Sequence, residues 1–488
     1  MPRSVKIHPD RKQQVISAIE RNGFLTQGDL AANLEIVLST VSNFINSKPV
    51  SIATFEKICE TLNLDKREIL KPINSDSDTS PENSTSLQGF YAYDNAWVGR
   101  EKLVAELSQK LRGSCRLLLI LGLTGIGKTA LAERLAVQLQ DWFSGDWKNK
   151  LRRANFDYED KATDFASVAA RWLEEWGERL SAEDKKPEKL LHRLVKHLRE
   201  NQVLVLIDSL EKLLTGNEED GWGDFADEWW EKFFLSLLSA ESCQSRLIIT
   251  SQDLPVKLVD FRYKNFWHRE VLYGLNESEQ EALFETTGLD VNQDSPDRPL
   301  LLRIGKAYNG HPLVLRVIIG DICESFAANV QAYWNDINSK IEEVETAIAE
   351  AEQGKILGEQ DEWKLHKLTL KVQREVNKKR LEITFDRLEK QVKDAYILIC
   401  AASVYRAPVQ AKGWLMQLVN LVKRIENQQC NEERQERTLE ELCNRFLAEE
   451  SVNHNNKRVL GQHNLVRSVA LAHYKKLLKS LKCETKSV

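Results

Sequence analysis

The chain has 488 residues, 42% apolar and 29% charged, with a formal net charge of −5. That is ordinary globular usage for a chain of several domains, so whole-chain disorder and a strongly basic nucleic-acid coat protein are excluded, though a small local DNA-reading module is not. No apolar run is long enough to span a bilayer, and the N-terminus MPRSVKIHPD lacks a signal peptide's apolar core, so a cytoplasmic protein with no membrane partner is expected.

Residues 1–70 read as a compact bundle of short helices. Ile16, Ile19 and Phe24 recur on one face of the first. Thr26 can cap a second carrying Leu30, Ala31 and Leu34. Ser39 can cap a third, 39–46, with Val41, Phe44 and Ile45 inward, and a fourth follows Ser51 with Phe55, Ile58 and Leu62. Residues 71–89 are rich in Ser, Asn, Asp, Thr and Pro and are expected to form a flexible linker, because they cannot bury enough apolar surface to offset ordering.

Residues 90–265 alternate helix and buried-strand patterns. A helix after Gly99 leads to the apolar run 116–122, a glycine-rich turn and a helix over 128–142. Helices near 163–180 and 187–200 precede two short β-branched runs, Val203–Ile207 and Leu247–Thr250. Strands separated by helices predict an α/β domain with a parallel sheet. Residues 266–334 read as a helical domain, and the highly charged stretch 335–378 as a helical insertion of one or two long exposed helices. Residues 379–478 return to mixed helical patterns. They end in β-like segments, Phe446–Glu449 and Arg458–Leu460, around a turn at 453–456, which suggests a winged helix; 479–488 is a tail. The eight cysteines are scattered without C-x-x-C pairs or zinc-ligand spacing, and read as small buried hydrophobes. No repeat of 20–50 residues is evident.

Gly122-Leu-Thr-Gly125-Ile126-Gly127-Lys128-Thr129 matches G-x-x-x-x-G-K-[ST], between an expected strand and an expected helix. Glycines let successive N–H groups, from Gly122 through Ile126 to Ala130 at the helix start, converge on phosphate oxygens. Lys128 supplies a cation to the β- and γ-phosphates, and Thr129 offers its hydroxyl to Mg²⁺. Such a loop needs a second strand presenting an acid to the metal, and Val203-Leu-Val-Leu-Ile-Asp208 supplies Asp208 at a strand's C-terminal edge. Ser209 stands where many ATPases carry a second acid. Glu211 could orient the attacking water, or simply be a first-turn acid of the next helix. Hydrolysis of ATP is therefore expected to be slow or regulated.

With these elements the chain resembles the NB-ARC branch of the STAND nucleotide switches over about 90–475. Trp97-Val98-Gly99-Arg100-Glu101 resembles the V-G-R-E element that contacts adenine. Ser245-Arg246-Leu247-Ile248-Ile249-Thr250-Ser251 resembles the strand that senses the γ-phosphate. Gly310-His311-Pro312-Leu313 resembles G-L-P-L, whose proline packs on the nucleotide. Gln462-His463-Asn464-Leu465-Val466 resembles the M-H-D-h-V element, whose histidine touches the β-phosphate of ADP and locks a closed state. The sequence departs from the pattern at Gln252, where the sensor strand usually ends in Arg, and at Asn464, usually acidic. Asp208-Ser-Leu-Glu211 is closer to the related NACHT layout, and the charged insertion has no family counterpart.

Residues 22–64 resemble a Cro/repressor-type helix-turn-helix. That resemblance places Gln27 near a DNA phosphate and Thr40, Ser42 and Asn43 at base edges. The first 70 residues carry nine Lys/Arg and eight Asp/Glu, so one copy would bind DNA weakly and useful affinity would need several. The combined resemblances imply an ATP/ADP switch that homo-oligomerises in the ATP state and gathers its N-terminal modules on DNA or a partner, its trigger either binding the winged helix or the insertion or being detected by a separate sensor protein. Two alternatives remain. One is a nucleotide-independent DNA-binding repressor with the ATPase fold as scaffold, and the other a defence-type switch whose N-terminal domain recruits a protein effector.

Overall fold

In a computed structural model the chain is described over parts of 4–64 and over 97–143, 150–157, 163–217, 221–253, 263–353, 362–452 and 458–484. The expected linker 71–89 lies outside the described residues. Near the N-terminus, β1 (Ser4–Val5) pairs antiparallel with β2 (Val50–Ser51), and helices α1 (Leu38–Ile45) and α2 (Ile52–Thr61) pack on a small core. Val15, Ile19, Leu30, Leu34, Val41, Phe44, Phe55 and Ile58 are buried there.

The central unit begins with α3 (Glu101–Arg112), β3 (Leu117–Leu121) and α4 (Lys128–Gln138). β4 (Leu151–Asn155), α5 (Phe165–Glu175), α6 (Pro187–Glu200) and β5 (Leu204–Asp208) follow. After a hairpin of β6 (Leu214–Asn217) and β7 (Gly221–Phe225) come α7 (Glu228–Ser239), β8 (Arg246–Ser251) and β9 (Trp267–Val271). Five strands form one parallel sheet in the order β4-β5-β8-β3-β9. Alternation along the strands builds two cores. Leu117, Leu119, Leu121, Val205, Ile207, Leu247 and Ile249 face α5, α6 and α7. Leu118, Ile120, Leu204, Leu206 and Ile248 face α3 and α4. The unit is a three-layer α/β/α sandwich in which the period-two pattern of each strand feeds both layers. The strand within 266–334 corrects the all-helical expectation there: β9 is an edge strand whose residues stay partly exposed, so no apolar run marks it.

The helical unit comprises α8 (Glu277–Thr286), α9 (Arg298–Ala307), α10 (Pro312–Phe326) and α11 (Val330–Gln353). α12 (Glu362–Gln391) then runs unbroken into the C-terminal lobe. The charged stretch is thus two long helices, but neither ends at its expected limits. α12 contains no Gly or Pro to stop it, and its last turns bury Leu381, Phe385 and Leu388. The lobe adds α13 (Lys393–Ala402), β10 (Val409–Gln410), α14 (Ala411–Glu426), α15 (Glu432–Asn444), β11 (Glu449–Val452), β12 (Arg458–Gly461) and α16 (Asn464–Glu484). Its antiparallel sheet has the order β10-β12-β11, one strand more than expected. Phe446, expected in a strand, instead has a left-handed φ of 57°.

One buried ionic hub ties these helices together. Asp321 of α10 is fully buried and accepts from Arg380 Nη2 (2.7 Å) and Arg387 Nη1 (2.8 Å) of α12, and from Arg445 Nη1 (3.2 Å) just after α15. Burial opposes its ionisation, but the three guanidiniums outweigh that and hold its carboxyl below the ordinary range. Glu382 of α12 also meets His473 Nε2 of α16 at 2.6 Å. Among the described residues, no helix is long and apolar enough to cross a membrane.

Candidate nucleotide site

The phosphate loop leaves β3 at Gly122 and returns into α4. Gly122, Gly125 and Gly127 have φ of 154°, 86° and 97°. A Cβ on Gly125 would come within 2.9 Å of both His311 and Leu313, so glycine lets the loop lie against the start of α10. Lys128 folds back and donates to the carbonyls of Gly122 (2.9 Å) and Leu123 (3.0 Å). Burial pushes its ammonium below the ordinary lysine range, against the opposing charges of Glu211, Asp208 and Asp157. Ile126 is buried beneath the loop, while Ala130 lines the cavity beside it.

The sheet order sets β8 between the loop strand and the acid strand, and three side chains converge on Asp208. Thr129 Oγ1 donates to Asp208 Oδ1 at 2.9 Å, and Asn155 Nδ2 to Oδ2 at 3.0 Å. The Thr250 hydroxyl also donates to Oδ1. Burial raises the Asp208 carboxyl above its ordinary range, with the Thr250 and Thr129 bonds acting against it. Ser209 turns the chain in the left-handed region (φ 64°), its N–H on Thr250 Oγ1 (3.0 Å) and its hydroxyl on Asp157. Glu211 lies in a 3₁₀ turn, 210–213, only 3% exposed. It accepts from Gln252 Nε2 (3.0 Å) and from the Gln252 N–H (3.2 Å). Burial raises its carboxyl too, with Lys128 opposing. Arg246 is not at this end: its guanidinium donates to the carbonyls of Leu111, Gly113 and Ser245.

The remaining walls come from distant segments. Arg100 follows Gly99 with φ 65°, donates its N–H to Glu279 Oε1 (2.7 Å), and sends Nη2 to the carbonyls of Ile126 (3.0 Å) and Tyr273 (2.9 Å). Burial lowers its pKa to about 10, with Glu279 acting against the shift. Pro312 opens α10, and His311 is its N-cap: His311 Nδ1 accepts from Val314 N (3.4 Å) while Nε2 lies 3.0 Å from the Thr124 carbonyl. A carbonyl only accepts, so Nε2 carries the proton and the ring is neutral; burial accordingly pushes its pKa down to about 3. His463 immediately precedes α16, and its Nδ1 accepts from Leu465 N at 3.2 Å. Burial lowers its pKa as well, with Glu449 opposing. The neutral ring therefore keeps its proton on Nε2, a donor suited to a phosphate oxygen.

These groups enclose one cavity of about 310 Å³, within the span of small-molecule sites. The core contributes Trp97, Val98, Lys128, Thr129, Asp208 and Glu211; the helical unit Leu275, Leu283, Pro312 and Arg316; the C-terminal lobe Arg406, Gln462, His463 and Asn464. The donor set suits a nucleotide. Thr124 Oγ1 in the loop is buried with no hydrogen-bond partner among the described residues. The Thr129 hydroxyl and Asp208 carboxylate offer the oxygen ligands Mg²⁺ prefers, with room for phosphates and water. Sequence reasoning missed Asn155 and Glu279, which reach the site only through the fold; Thr250 and His311 were visible inside motifs, but not the contacts they make with Asp208 and the Thr124 carbonyl. Of the expected DNA-contacting residues, Thr40 and Asn43 lie half-exposed on α1. Gln27 and the Ser42 side chain lie outside the described residues.

Residues 96–248 match the family described as AAA ATPase domain. The parallel sheet and the glycine loop above fit a P-loop NTPase core. Among curated proteins, an uncharacterized WD repeat-containing protein of Nostoc sp. is 26% identical over 230 residues, 45% of this chain and 17% of that one. Among solved structures, a STAND protein with a tetratricopeptide repeat sensor from Pyrococcus horikoshii is similar at TM-score 0.42 and 15% identity, covering 77% of this chain and 42% of that chain. The Aeropyrum pernix ORC1 protein in complex with DNA is similar at TM-score 0.33 and 16% identity, covering 80% and 95%. This chain thus spans under half the length of the first two proteins, and at these scores no property of the three transfers to it.

Proposed function

We propose that the chain is an adenine-nucleotide switch of STAND type, with Mg²⁺ held by Thr129 and Asp208. The observation that carries this reading is the shared cavity: Lys128 of the core, Pro312 of the helical unit and His463 of the C-terminal lobe line one space. In the compact arrangement, read as the ADP state, Lys128 and the loop amides hold the diphosphate. His463 Nε2–H bridges it to the lobe, which we read as a winged helix from its helices and three-stranded sheet. Val98, Gly99 and Arg100 hold the adenine side. A third phosphate would crowd the wall formed by Gln252 and the lobe, and undocking would free core surfaces for homo-oligomerisation. Association would then gather N-terminal modules for DNA binding, Thr40, Ser42 and Asn43 reading bases and Gln27 a phosphate. Glu211 is the candidate water-orienting acid. Its enclosure and bonds to Gln252 fit slow or regulated hydrolysis.

The test is release of a fluorescent ADP analogue. His463→Ala removes one donor to a charged group, worth about 1.5–3 kcal/mol. Release is expected to quicken by roughly tenfold or more, with cooperative unfolding of the nucleotide-free chain retained. An unchanged release rate would remove His463 from the lock.

A further inference from the structure

Gln252 sits between a carboxylate and a guanidinium. Its Nε2 donates to Glu211 Oε1 at 3.0 Å, while its Oε1 faces Arg374 Nη2 of α12 at 3.5 Å. A carboxylate only accepts and a guanidinium only donates. Flipping the amide would set oxygen against carboxylate and N–H₂ against guanidinium, so this sandwich fixes the amide in one sense. With the amide so held, the backbone N–H of Gln252 reaches the second oxygen of Glu211 at 3.2 Å. Gln252 lines the nucleotide cavity, and the Arg374 charge is among those that act on Lys128. Further along the same helix, Arg380 and Arg387 reach Asp321, and Glu382 reaches His473. At ~1.5 Å per residue, the hub contacts lie roughly 9 and 20 Å along α12 from Arg374.

We infer that Arg374 is a positioning residue: through Gln252 it holds Glu211 in place, and it makes α12 the rod by which the C-terminal lobe and the phosphate end of the cavity influence one another. This places a specific role on the helix that the sequence marks only as charged. The use of Glu211 in hydrolysis rests on the proposed function, but the relay itself exists without nucleotide, and the two are separable.

The full chain is compared with Arg374→Gln, Arg374→Lys and Gln252→Leu, after each shows a wild-type-like unfolding transition. In the nucleotide-free chain, hydrogen exchange at the Gln252 backbone amide is expected to quicken about tenfold in Arg374→Gln and to return near wild type in Arg374→Lys. With Mg-ATP, Arg374→Gln and Gln252→Leu are expected to change kcat by about fivefold or more, with KM within about twofold. Equal exchange in wild type and Arg374→Gln overturns the relay, whatever the nucleotide results. Altered exchange with unaltered kcat overturns its role in the reaction. Altered exchange in a chain that binds no adenine nucleotide upholds the relay and sinks the proposed function instead.

Discussion

Lys128→Ala is expected to abolish nucleotide binding at micromolar concentration. The ammonium supplies at least two charge-assisted bonds to phosphate, together roughly 3 kcal/mol or more, which is a loss of about 100-fold in affinity. The pocket amplifies the loss. Glu211, Asp208 and Asp157 are the charges that oppose the fall in the Lys128 pKa, and without the ammonium only Mg²⁺ would separate them from an incoming polyphosphate. Calorimetric titration with Mg-ATP and with ADP measures the effect, beside a thermal scan to show that the loop carbonyls of Gly122 and Leu123 tolerate the lost donor. DNA binding and any downstream response should fail with it if the chain is a switch. Their survival at wild-type strength would favour the scaffold reading, a DNA-binding protein indifferent to nucleotide.

The second large effect is on stability. Asp321→Asn preserves shape but removes the anion shared by Arg380, Arg387 and Arg445. Arg380 and Arg445 are 1% and 2% exposed at their side chains, so their charges cannot turn to solvent. Breaking a buried ionic cluster by removing one partner costs roughly 3–5 kcal/mol, because it leaves uncompensated charge behind. The urea-induced transition of the C-terminal half should fall by that amount. Asp336→Asn is the contrast: Asp336 meets only Arg387 in the cluster, and its side chain is 49% exposed, so its loss should cost no more than about 1 kcal/mol. A small effect at Asp321 would mean that Glu441, already 2.7 Å from Arg445 Nη2, and Asp336 absorb the arginines between them.

The interior of the fold was legible because its signals are local. The central strands read as apolar runs since both faces are covered, and the glycine loop announces the turn that follows β3. The two sheet edges were not legible. β4 has the sequence LRRAN and β9 the sequence WHREV, polar because edges are only partly covered. The shift from charged to mixed composition near 379 looked like a domain boundary, yet α12 crosses it. Charge patterning reports exposure and does not by itself end a helix. At the site, Lys128, Asp208, Pro312 and His463 could be assembled from motif order. Asn155 and Arg374 could not, and Gln252 was visible only as the departure at the end of the sensor strand, because what joins the three to the site is strand order and the approach of a helix 122 residues away in sequence from Gln252.

The central claim is that the occupant of the cavity decides whether the C-terminal lobe stays docked on the core. Its most direct measurement is the distance between spin labels carried by unnatural amino acids at exposed Lys110 on α3 and Lys412 on α14, recorded by pulsed electron resonance. With saturating ADP a single narrow distance is predicted, matching the compact arrangement. With a non-hydrolysable ATP analogue and Mg²⁺ the distribution should lengthen and broaden, and Lys128→Ala should show no response to either. The same distribution under both nucleotides, with binding of each demonstrated in the same sample, would contradict the account.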